Sequence, residues 1–255
     1  MACITDRSDF ALAVALAGGL PTLALGIKNT SQLESELGHL AETMAGRPYA
    51  VNIITLQENP YLQEQMAWLQ KTKPPFVVIS AGSPLLAAEL QNQGQKVIYV
   101  TGDADLLYLA WKSGIRHVVC EGHEAGGHVG SHSTLTLAQI ALELRRSHRQ
   151  FAAHPILLAG GIINAESTLR AAILGAEAIQ LGTAYLTTRE IVDRGALRPQ
   201  YREMVLGANY GETAVTGTGL GLAVRSLQTP VIAKMRQYER QLTEEAGDER
   251  DIRKK

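Results

Sequence analysis

Apolar residues follow two alternating rhythms along the chain. Short runs rich in β-branched and aliphatic residues read as strands at 21–26 (PTLALG), 49–54 (YAVNII), 76–82 (FVVISAG), 96–102 (KVIYVTG), 117–122 (HVVCEG), 155–161 (PILLAGG) and 178–186 (AIQLGTAYL). They are apolar at successive positions rather than alternate ones, the pattern of parallel strands buried on both faces. Between them, helical apolar spacing covers 8–17, 31–45, 60–71, 84–93, 104–112, 135–147 and 165–174. Ser31 with Glu34 three residues on reads as a helix start, and Gly94, Gly114 and Gly175 as helix ends.

Strands regularly alternating with helices predict an α/β fold on a parallel sheet. A doubly wound sheet would show a Gly-rich turn after its first strand and a ribose-binding acid about 20 residues later. The sequence has neither, which leaves the TIM (β/α)8 barrel. Seven strands are counted where the barrel needs eight, and the missing one is the first, because a helix already begins by Ser8. An open barrel exposes two unpaired edges. The expectation is therefore a chain that starts one strand late, or a gap filled by an upstream or neighbouring segment, rather than a seven-stranded design. Beyond the last strand, 198–206 reads as a short amphipathic helix, 211–227 as extended or looped, and 230–242 as a closing helix. One barrel domain is expected over 1–242, followed by a charged tail at 243–255 (TEEAGDERDIRKK) that reads as a solvated terminus or linker.

Composition narrows the function class. The 255 residues are 45% hydrophobic and 19% charged, enough for a large core without staples. With 24 basic against 25 acidic residues, there is no general attraction for nucleic acid or an anionic membrane, so small-molecule chemistry is favoured. Cys3 and Cys120 are isolated and read as plain thiols. Acids at Asp6 and Asp9 and the lack of a long apolar run at the N-terminus speak against a signal peptide or membrane span, and a cytoplasmic protein is expected.

Parallel barrels build their sites from loops at the C-terminal ends of the strands. The richest such loop is CEGHEAGGHVG at 120–130, where Gly122, Gly126, Gly127 and Gly130 surround Glu124 and His128. Glycines at this density permit close approach of backbone to a flat ligand, and His128 brings a titratable ring to the barrel mouth. His123, Glu124 and His128 are spaced one residue too far for H-E-x-x-H, and the Gly pair opposes a helix, so no metal site is expected. AGGI at 159–162 and QLGT at 180–183 fall where such barrels bind phosphate through backbone N–H groups. Gly160, Gly161 and Gly182 serve either such cups or simply tight turns. Asn52 and Ser80 are polar positions in apolar strands that contact either a bound heterocycle or a partner within the core. Trp68, Trp111 and Tyr108 fit packing on the outer helices.

Together, GHEAGGHVG at 122–130, AGGI at 159–162 and IQLGTAYL at 179–186 resemble the nitronate monooxygenase (2-nitropropane dioxygenase-like) family of FMN-dependent barrels and its relatives, the FMN-dependent enoyl-acyl-carrier-protein (enoyl-ACP) reductases. The resemblance runs from about residue 5 to 229. It implies FMN as cofactor, with His128 as the active-site histidine and Asn52 near the flavin. It also implies Gly126, Gly127, Gly160, Gly161, Gln180, Gly182 and Thr183 as FMN contacts, with Gly122 in the same loop. The family usually opens with a strand ending in a Pro-Met-like turn against the flavin; Met1 stands where that Met would be, without its strand. GTGLGLAVRSLQTP at 217–230 looks more like versions found in lipid or polyketide assembly lines, where neighbouring synthase domains would be partners.

The resemblance implies oxidation of alkyl nitronates with O2, His128 acting as base or as hydrogen-bonding partner of the nitro group. The alternative is an enoyl-thioester reductase drawing on NAD(P)H, and a non-enzyme reading is a barrel that has lost its cofactor and serves in docking. A homodimer is expected on base rate.

Overall fold

The computed structural model describes residues 7–26, 28–37, 39–56, 59–219 and 221–246. Met1, Cys3, Asp6 and the tail beyond Ala246 lie outside them. Among the described residues, seven parallel strands form one sheet: β1 (Thr22–Ala24), β2 (Ala50–Ile54), β3 (Phe76–Ser80), β4 (Val97–Thr101), β5 (His117–Glu121), β7 (Ile156–Ala159) and β8 (Ala178–Gln180). Each pairs with the next, and β8 is not paired with β1 among the described residues. The architecture is thus a TIM-type barrel left open by one strand. A second, antiparallel sheet joins β6 (Gly127–His128) to β10 (Val224–Leu227) and β9 (Thr213–Thr216).

The strands are apolar on both faces because each face meets a different layer. Val51, Ile53, Val77, Ile79, Val118 and Leu158 pack outward under the helices in the main core. Their neighbours Ala50, Val78, Val100, Val119 and Ala159 form a smaller cluster on the opposite face, the interior of the barrel. Cys120 is buried in the outer layer, where burial pushes its thiol up to about 12. Trp68 and Trp111 belong to the same layer, with Tyr108 against them.

The helices match the sequence pattern closely, from Ser8–Leu16 to Pro230–Ala246, and Gly94, Gly114 and Gly175 end theirs with positive φ. Two expectations are corrected. The helix expected over 31–45 is two helices, Thr30–Leu37 and Leu40–Met44, and the sequence between them contains a glycine, a poor helix former. Its start also moves: Asn29 and Gln32, rather than Ser31 and Glu34, make the reciprocal cap, each backbone N–H donating to the other's side-chain oxygen at 3.1 and 3.0 Å. The strand expected over 178–186 stops at Gln180, and Thr183–Leu186 is helical. Its partner β7 ends at Ala159 and turns away through Gly160 and Gly161, so residues beyond Gln180 have no ladder to join.

Candidate active site

Strand register decides which side chains meet at the barrel mouth. Asn52 points to the barrel interior from β2, and its Nδ2 donates to Val78 O (3.2 Å) and Ser80 Oγ (2.8 Å) on β3. The amide therefore finds partners in the barrel wall itself, and Asn52 and Ser80 come together. On the other side of the mouth, Glu121, Ala159 and Gln180 stand level across β5, β7 and β8. The small Ala159 leaves room for Gln180 Nε2 to donate to Glu121 Oε2 at 3.2 Å. Burial pushes the Glu121 carboxyl up to about 7, against the opposing effect of that hydrogen bond. A carboxyl pushed up by burial at a strand end is a functional-site signal the sequence reading passed over, though a carboxylate closing the run HVVCE was there to be seen.

Beyond Glu121, the loop folds back along the mouth. Glu124 accepts from Thr134 N (2.9 Å), and the Thr134 hydroxyl lies 3.0 Å from the same carboxylate oxygen. That hydroxyl also sits 3.1 Å from Ala159 O and 3.0 Å from Gly160 O, so Thr134 ties the His128 loop to the AGG turn. Gly122 is buried, and a Cβ there would come within 2.2 Å of Thr134 N: its smallness is a packing requirement. Gly160 and Gly161 have φ of +96° and +72°, which only glycine adopts without strain, and a Cβ on Gly160 would also crowd Ala125 N and Gly122 O at 3.1 Å. A Cβ on Gly126 would lie 3.3 Å from Thr183 Oγ1, so the His128 loop and the turn after β8 face each other.

His128 lies in β6, paired with Val224 of β10. It is solvent-exposed, and the protein packed against it lowers its pKa by desolvation. A neutral imidazole carries one donor and one acceptor nitrogen. Among the described residues, no group of three or more His, Cys, Asp or Glu is placed to hold a metal ion.

The structure thus gathers Gly122, Gly126, Gly127, His128, Gly160, Gly161, Gln180, Gly182 and Thr183 around the ends of the consecutive strands β5, β7 and β8. Asn52 stands across the mouth on β2. The family model for nitronate monooxygenase matches residues 59–249, most of the chain and all of this arc. The chain belongs to the nitronate monooxygenase family. That family is one of FMN-dependent oxidoreductases. A probable nitronate monooxygenase of Staphylococcus saprophyticus is 26% identical over 266 residues, covering 89% of this chain and 73% of its relative. FabK from Thermotoga maritima superposes with a TM-score of 0.81 at 31% identity, covering 92% of this chain and 71% of that one. Nitroalkane oxidase from Streptomyces ansochromogenes shares the fold, with a TM-score of 0.73 at 24% identity, over 89% of this chain and 74% of that one. Among the described residues, no helix is long and apolar enough to cross a membrane.

Proposed function

We propose that the chain binds FMN at this mouth and oxidises alkyl nitronates with O2, with His128 as its acid–base group. The observation that carries the reading is the convergence of the His128 loop, the AGG turn and the Gly182–Thr183 turn on neighbouring strands, held by Thr134. Two adjacent turns with little side-chain bulk offer backbone N–H groups to a phosphate, and the side-chain-free Gly126–Gly127 edge allows a flat ring to approach. The donor set fits FMN: backbone amides, the Thr183 hydroxyl and the Gln180 amide. When bound, the flavin supplies the two-way electron chemistry, taking electrons from the substrate and passing them to O2.

The side chains then divide the remaining work. Gln180, held by Glu121, keeps a fixed orientation at the end of β8. Neutral His128 donates a hydrogen bond to an oxygen of the nitronate, or, where the substrate arrives as the neutral nitroalkane, takes its α-proton to form that nitronate. Replacing it, His128→Ala, is expected to leave FMN bound while turnover of an alkyl nitronate falls about 100-fold. Unchanged kinetics would remove His128 from the mechanism.

The likeness to FabK, higher in identity than that to the staphylococcal relative, favours a second reading, the NAD(P)H-dependent enoyl-thioester reductase. Anaerobic visible spectra of the FMN-loaded chain separate the two. Bleaching by nitronate alone supports the oxidase; rapid bleaching by NADPH supports the reductase.

A further inference from the structure

The strand that carries His128 is only two residues long, and nothing lies within 4 Å of where a Cβ on Gly127 would stand. A two-residue ladder is too short to hold its place unaided. On one side the preceding residues are anchored to the barrel, through Glu124 on Thr134 and through His123 N, which donates to His132 O at 2.8 Å. On the other side Val129 N donates to Ala223 O at 2.9 Å, and His128 pairs with Val224. One side chain joins the two halves. Arg225, next to Val224 on β10, donates from Nε and Nη2 to the carbonyl of His123, each at 3.2 Å, and from Nη1 to Thr213 Oγ1 on β9 at 2.9 Å.

We propose that Arg225 is the positioning residue of His128: by gripping the His123 carbonyl from β10, it fixes the span of chain that presents the imidazole to the barrel mouth. The grip uses the planar fork of guanidinium. Two N–H groups converge on one carbonyl while a third reaches across to β9, which a lysine cannot reproduce. The Arg225 charge is not spent on a carboxylate: every hydrogen bond it makes among the described residues goes to a backbone carbonyl or a hydroxyl. Its contacts run to a residue 102 positions away, so they constrain tertiary placement rather than local structure.

This inference rests on reading His128 as the acid–base group, and its test separates the two. In the full chain at saturating FMN, Arg225→Ala is expected to lower kcat for an alkyl nitronate by about 10-fold or more, with KM changed by less than about 3-fold. Arg225→Lys is expected to restore little of it. The decisive readout is independent of turnover: the His128 ring-proton titration, followed by NMR and assigned with His128→Gln. Freed from its packing, the ring should titrate nearer the ordinary imidazole value in Arg225→Ala than in the parent.

An unaltered titration overturns the proposal, whether or not kcat falls, because Arg225 would then act on something else. If Arg225→Ala does not fold, Arg225→Lys, which keeps stem and charge, is read in the same way. If the titration moves while His128→Ala leaves turnover intact, Arg225 still positions His128 and it is the acid–base reading that falls.

Discussion

Glu121 shows how a single residue records the conflict between site and stability. Its carboxyl ends an apolar strand, and burial pushes it from the ordinary carboxylate value of about 4.5 up to about 7. Below the lower value the carboxyl is protonated in folded and unfolded chains alike and contributes nothing to the pH dependence. Between the two, the folded chain holds a proton that the unfolded chain has released, so stability falls as pH rises, and above the upper value the whole penalty is present. Glu121→Gln keeps the shape and a hydrogen-bonding partner for Gln180 while removing the charge. It is expected to stabilise the protein by roughly 2 kcal/mol at about pH 8, discounted for partial contact with water, and by almost nothing at about pH 4. Denaturant titrations at the two pH values check it, and an equal effect at both would mean that the carboxyl is not the strained group. A function for Glu121 would explain why the chain tolerates the penalty. Such residues were poorly legible in the sequence: His128 advertised itself by its Gly-rich surroundings, whereas Glu121 matters through Gln180, and Arg225 through a carbonyl far away in the chain.

At the scale of elements, legibility followed the source of each element's stability. β2 to β5 and β7 are dictated by runs of Val, Ile and Leu that fill two cores at once, so the sequence displays them. β6 and β9 exist because each pairs with β10; GH and VRSL carry little intrinsic strand signal, and TAVT, though rich in β-branched residues, is only four residues long beside a Gly-rich stretch. The reading of 211–227 as extended or looped left room for two of them, but nothing in a Gly-rich loop revealed that His128 would add a third strand at the edge of β10. The loop's exit is set by backbone contact: a Cβ on Gly130 would meet Gly102 O at 2.2 Å, at the end of β4. Neither backbone can yield cheaply, so Gly130→Ala is expected to cost about 3 kcal/mol and to weaken FMN binding as the loop is pushed off β4. Gly127→Ala, at φ +88° but in open space, should cost only about 1 kcal/mol. Comparable losses from both would mean that the loop relaxes around added bulk, and that Gly102 does not fix its exit.

For the molecule as a whole, the strand count made the opening between β8 and β1 legible, and the helix at 8–17 was read too, but not that this helix spans the opening. The helix Ser8–Leu16 places Phe10 and Val14 in a small core with Ile191 and Leu197, residues that follow β8. Phe10 meets Tyr185 edge-on, with ring centroids 6.0 Å apart and planes at 87°. The outer helical layer therefore continues across the place where the sheet does not. Tyr185 belongs to the turn of helix that begins at Thr183, so the same contact steadies one wall of the proposed flavin site. Phe10 is 4% exposed, and Phe10→Ala should cost about 3 kcal/mol through lost burial and the cavity left behind. Leu16→Ala in the same helix, at a position 65% exposed, should change stability by less than about 0.5 kcal/mol. Thermal unfolding of the two variants tests the bridge, and flavin fluorescence titration tests its reach: Phe10→Ala should also weaken FMN binding, because Thr183 is held through Tyr185. A variant that loses stability yet binds FMN as the parent does would mean that the helix braces the outer layer alone and that the turn after β8 holds its shape without it.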